Sequence, residues 1–203
     1  MPFRFPAFFR VFSLLIFSLG LAACSPEPEP QPFIGNDIST AGIGRTLALV
    51  DGQGQPRSLK DFRGKTVVVF FGFTQCPDVC PTAMVQLASA MEMLGEQAKD
   101  VQVLLITVDP ERDTPDVMQA YVEAFDPRFI GLTGTPEQVR KTAQSFKAFY
   151  VKVPSPQIGQ YTMDHSSSFY LIDSEGKTRV LMRGDASAED IAHDVQLLAT
   201  SAP

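Results

Sequence analysis

Two cysteines four residues apart hold the most chemistry in this chain. They lie in Cys76-Pro77-Asp78-Val79-Cys80-Pro81. On a helical turn, positions i and i+4 share one face with Cα atoms about 6 Å apart, within the span of a disulfide. The same two sulfurs can instead converge on one soft metal ion. Unpaired N–H groups at a helix start favour thiolate over thiol, and both uses require thiolate. An inert buried pair or a plain structural disulfide is the bland alternative. Neither needs a strand-to-helix junction flanked by prolines.

The spacing of apolar residues says what must position the two thiols. Residues 67–73, Val-Val-Val-Phe-Phe-Gly-Phe, are β-branched and aromatic and too few for a buried helix. They predict a strand covered on both faces. Residues 82–97 are rich in Ala, Met, Leu, Gln and Glu and predict a helix, with Pro81 suited to its first turn. The cysteines therefore sit at the carboxyl end of a central strand, where open α/β sheets place their chemistry. Residues 101–108 form a second apolar run and a parallel partner. The loop Asp109-Pro110-Glu111-Arg112-Asp113-Thr114-Pro115 leaves that strand at the same end, beside the cysteine loop. Thr114 or Asp113 can cap the helix that follows, to about Phe125, with Val117, Tyr121, Val122 and Phe125 on one face.

Further along, residues 129–132 predict a short edge strand or loop. Thr135 starts a helix to about Phe149, residues 150–153 a short strand, and residues 154–160 a loop. Strands over 167–173 and 178–183 form a hairpin, and residues 187–199 close the chain as a helix. Upstream, residues 46–51 and 56–59 flank a Gly-rich turn and predict another hairpin. Residues 33–41 carry no pattern that places them. There is no repeat and no second domain.

Three separated stretches are similar to one known family. Residues 73–81 (FTQCPDVCP), residues 108–115 (VDPERDTP) and Asp164-His165-Ser166 resemble the Sco/SenC proteins. Those are thioredoxin-fold copper chaperones that help assemble the dinuclear copper site of cytochrome c oxidase. The resemblance runs from about Leu47 to the C-terminus. It implies an α/β thioredoxin-like fold: a central mixed sheet flanked by helices, with an N-terminal β-hairpin and one inserted helix. Thioredoxins carry a cis-proline beside their cysteines, but no proline occurs from residue 161 to 174. The resemblance puts His165, in the loop entering the strand 167–173, opposite Cys76 and Cys80. Two thiolates and an imidazole make a three-coordinate soft site for copper, as Cu(I) or Cu(II), with zinc as the competitor.

Flanking residues have two readings each. Asp164 either accepts a bond from the second ring nitrogen of His165 or faces water. Asp78 either tunes the thiols, engages a partner or caps the helix. Asp109, Arg112 and Asp113 form either an ion-pair rim or a merely structural loop. His193 reads as an ordinary helix-face histidine. Met84 and Met91 share a helix face that Met93 does not, so core filling is favoured over a methionine copper box.

The amino terminus reads as an export signal. Arg4 and Arg10 precede an apolar run over residues 11–23, too short for the roughly 20 residues of a spanning helix. Leu21-Ala22-Ala23-Cys24 resembles a bacterial lipobox, implying cleavage after residue 23 and lipidation of Cys24. Residues 24–41 would form a Pro/Glu-rich tether, with prolines alternating at 26, 28, 30 and 32, and residues 42–203 the folded domain. Losing the leader removes two of 17 basic residues, so the net charge of −6 becomes −8. An acidic chain without a basic run argues against nucleic acid.

The expected function is a lipid-anchored copper chaperone on the periplasmic side of a bacterial membrane. By family resemblance it would serve cytochrome c oxidase subunit II and draw on a periplasmic copper donor. The alternative is a thiol–disulfide reductase using Cys76 and Cys80, and either role implies an external thiol reductant. A thiol peroxidase shares the fold but places its nucleophile in a different Pro/Thr context.

Overall fold

The computed structural model describes residues 32–155 and 161–200. The expected signal peptide, Cys24, residues 24–31 of the expected tether and residues 156–160 of the expected loop fall outside these residues.

Ten strands, four α-helices and two short 3-10 helices follow one another along the described residues. The strands are β1 (Asn36–Asp37), β2 (Leu49–Val50), β3 (Pro56–Arg57), β4 (Thr66–Gly72), β5 (Val101–Thr107), β6 (Ile130–Leu132), β7 (Tyr150–Pro154), β8 (Tyr161–His165), β9 (Ser168–Ile172) and β10 (Thr178–Arg183). The α-helices are α1 (Val79–Leu94), α2 (Pro115–Glu123), α3 (Pro136–Phe146) and α4 (Ala188–Thr200).

The main sheet has six strands in the order β1-β10-β9-β4-β5-β6. β4 and β5 pair in parallel from Thr66↔Val101 to Gly72↔Thr107, and every residue of both is buried. This is the pattern that a strand covered on both faces must show. β6 extends the parallel half, while β9, β10 and β1 make the other half antiparallel. The result is a central mixed sheet flanked by helices. Phe70, Phe71, Phe73, Phe129, Phe146 and Phe169 fill its core.

Several elements differ from expectation. The first helix begins at Val79, so Cys80 and Pro81 lie inside its first turn. The capping side chains expected for α2 make no cap bond; Thr114 holds the N-cap position through its backbone alone. The buried face of α2 is Met118 and Val122, whereas Val117 is exposed. The reason is close packing on β6: a Cβ added to Gly131 would lie 2.8 Å from the Met118 carbonyl oxygen. Helix α3 stops at Phe146, three residues early, because Lys147 turns into the left-handed region at φ 58°.

The segment left unplaced at residues 33–41 supplies β1, which pairs with the edge strand β10. The N-terminal hairpin is present but reduced to β2 and β3, two residues each. The largest difference concerns residues 161–165. The sequence assigns them to no element apart from His165, which is expected in a loop; they form a strand paired antiparallel with β7 from Tyr150↔His165 to Pro154↔Tyr161. This ribbon stands apart from the six-stranded sheet.

Candidate metal centre

The site is assembled from the carboxyl ends of β4 and β5 and the end of the ribbon. After β4 the chain turns, with the Cys76 amide donating to the Phe73 carbonyl at 3.3 Å. Cys76 remains partly exposed, while Cys80 is fully buried. Glycine at position 72 makes room for the second sulfur, since a Cβ there would lie 3.0 Å from Cys80 Sγ. The Cys80 amide donates to Cys76 Sγ at 3.4 Å, and both thiols are free.

His165 completes the group. Its Nε2 lies 3.6 Å from Cys80 Sγ. One ligand atom each from Cys76, Cys80 and His165 falls within 4.8 Å of the others. A metal held at about 2.0–2.3 Å separates its ligands by roughly 3.4–4 Å, so small side-chain rotations suffice to close the trio around one ion. The ring is oriented for the task. Its Nδ1 lies 2.9 Å from the Ser166 carbonyl, so Nδ1 carries the proton and Nε2 presents its lone pair to the sulfurs. Phe70 and Phe73 meet the imidazole edge-on, with centroids at 6.3 and 5.8 Å.

Electrostatics correct one expectation. Burial pushes the Cys80 thiol well above the usual thiol range, despite its place in the first turn of α1. Desolvation of the charged form outweighs the helix-start amides. Cys80 is thus a neutral thiol until a cation arrives, and binding must release its proton.

The flanking residues divide. Asp113 is buried, and burial raises its carboxyl above the ordinary range. It accepts bonds from Thr74 Oγ1 and Thr107 Oγ1, both at 2.6 Å, and from the Thr74 amide. It therefore ties the cysteine loop to the end of β5 rather than joining an ion-pair rim. Asp109 does pair with Arg112, through Asp109 Oδ2 and Arg112 Nε. Asp164 is exposed, because strand alternation turns it to the face opposite His165; the Ser166 carbonyl takes the ring nitrogen instead. Asp78 is exposed, occupies the N-cap position of α1 and makes no side-chain cap bond. Met84 and Met91 are buried in the core and Met93 is exposed, as the spacing suggested.

Other contributors carried no readable signal. Gly72 looked like one more strand residue, and Tyr161 fell just after a stretch read as loop, in no assigned element. The Thr74–Asp113–Thr107 link depends on two strand ends meeting, which no local pattern reveals.

Comparisons with known proteins point to one family. A family model described as SCO1/SenC matches residues 36–200. The SCO2-like protein RP587 of Rickettsia prowazekii is 40% identical over 150 residues, 73% of each chain. The structure of Bradyrhizobium japonicum ScoI with copper bound is 37% identical, with a TM-score of 0.71 over 77% of this chain and 99% of that one. A SCO1/SenC family lipoprotein from Bacillus anthracis is 34% identical, with a TM-score of 0.64 over 76% of this chain and 93% of its own.

Proposed function

This chain belongs to the SCO1/SenC family, and from that premise we propose that it binds copper and hands it on during assembly of the copper site of cytochrome c oxidase. Cys76, Cys80 and His165 are the ligands. The observation that carries this reading is the convergence of two sulfurs and a correctly oriented Nε2 from distant parts of the chain. Thiolate and imidazole donors suit copper, and the related ScoI structure has copper bound.

Partial exposure of Cys76 opens one side of the site. An acceptor's thiolate can enter there and displace the protein's ligands one at a time, so the ion never becomes free. Buried Cys80 would hold it until the exchange completes. Oxidase subunit II is the acceptor that the family implies. Cys24 would tether the domain to the periplasmic face of a membrane, in keeping with the Bacillus anthracis lipoprotein.

One observation favours a second reading. Free thiols of unequal exposure suit disulfide exchange, with Cys76 attacking and Cys80 resolving. Anaerobic titration of the reduced protein with Cu(I) and Cu(II) separates the two. His165→Ala should weaken copper binding by about 100-fold or more, since even outer partners of a metal ligand are worth 10- to 100-fold. Thiol–disulfide exchange should continue at a similar rate. Copper affinity that survives the substitution would overturn the three-ligand assignment.

A further inference from the structure

The β7–β8 ribbon carries His165 but shares no strand pairing with the main sheet that carries the cysteines. Side chains must help fix the separation of the ligand atoms, and Arg112 bonds to both halves. Arg112 Nε donates to buried Asp109, and Nη1 donates to Gln75 Oε1 at 2.9 Å and to the Tyr161 carbonyl at 3.1 Å. Gln75 immediately precedes Cys76, and Tyr161 is the first residue of the strand that ends at His165. The guanidinium carbon also lies 3.9 Å over the Tyr161 ring and 5.9 Å from the Phe73 ring.

Tyr161 has further partners in both the loop and the ribbon. Its hydroxyl donates to Asp109 Oδ1 at 2.9 Å. The Lys152 ammonium, from β7, lies 3.9 Å over the same ring and pairs with Glu111 at 2.8 Å. The loop 109–112 thus holds both strands of the ribbon. Arg112 Nη2 is buried without an acceptor, a cost that the other contacts outweigh.

We propose that Arg112 is a positioning residue that sets the distance from His165 to the two sulfurs by clamping β8 to the cysteine loop. This rests on Cys76, Cys80 and His165 being the copper ligands. Arginine suits the task because its planar fork serves separate acceptors while stacking on an aromatic face. Lysine keeps the charge but can do neither in this geometry.

The test uses Arg112→Lys, Tyr161→Leu and the double variant in the full-length reduced protein. Copper affinity is measured by competition, nitrogen coupling by electron paramagnetic resonance of the Cu(II) form, and amide exchange in the metal-free form. Each single variant should bind copper at least about 10-fold more weakly, the lower end of losses for groups that orient a ligand. Each should lose nitrogen coupling and exchange the β8 amides faster, while alkylation of Cys76 keeps its rate. The double variant should be little worse than either single one, because both break one contact. Tyr161→Phe, which keeps the stack, should retain the coupling. If Arg112→Lys fails to fold, Tyr161→Leu decides alone. Wild-type affinity and coupling in a folded variant would overturn this inference while leaving the ligand set intact. An unsubstituted protein that binds no copper would overturn the ligand set, and this inference with it.

Discussion

At the scale of residues, burial favours the protonated form of two groups at the site. Cys80 is neutral through burial, and Asp113 is pushed toward its protonated form for the same reason. Asp113 supports a prediction with a definite sign. Its folded carboxyl titrates above the ordinary value of about 3.9, so between those two values the folded chain holds a proton that the unfolded chain releases. The stability it contributes is present at low pH and declines as pH rises through the raised value. Asp113→Asn removes that dependence, though it also weakens the bonds from Thr74 and Thr107 at every pH. Denaturant unfolding from about pH 4 to 7 should show the variant gaining on the wild type as pH rises. A constant difference across the range would contradict the assignment.

At the scale of elements, legibility followed how local the cause is. β4 and β5 were readable because burial on both faces demands an unbroken apolar run. Pro115 and Pro136, after Thr114 and Thr135, marked two helix starts. The ribbon was not readable. In Tyr161–His165 only Met163 is buried, and β7 has no buried residue, so neither strand shows an apolar face that would betray the pairing. So the motif around His165 was visible while the strand that aims it was not. The same holds for Gly184, whose importance appears only in three dimensions. A Cβ there would lie 1.6 Å from the Ser167 carbonyl oxygen, and backbone must move to admit it. Gly184→Ala should therefore destabilise the fold by about 1–3 kcal/mol or more and displace the segment just after His165. Thermal unfolding and copper affinity measured together check this; a variant unchanged in both would show that the segment tolerates the shift.

At the scale of the whole molecule, the sheet brings the cysteine and Asp109–Asp113 loops to one end, and the ribbon supplies the imidazole. The amino-terminal segment is secured separately. Asp194, fully buried in α4, accepts bonds from the Ile34 and Gly35 amides at 2.9 and 2.8 Å and faces His193 Nδ1 at 2.9 Å. Gly35 is required there, because a Cβ would lie 2.5 Å from Val180. His193, read as an ordinary helix-face residue, thus sits beside the carboxylate that anchors this segment. No described helix is long and apolar enough to cross a membrane. The central claim is that three side chains from distant parts of the chain grip one copper ion. X-ray absorption at the copper edge, on the reduced protein loaded with one equivalent of Cu(I), tests it most directly. The prediction is two sulfur neighbours and one imidazole nitrogen, with the nitrogen lost in His165→Ala. A shell of sulfur alone, or a nitrogen signal unchanged by that substitution, would contradict it.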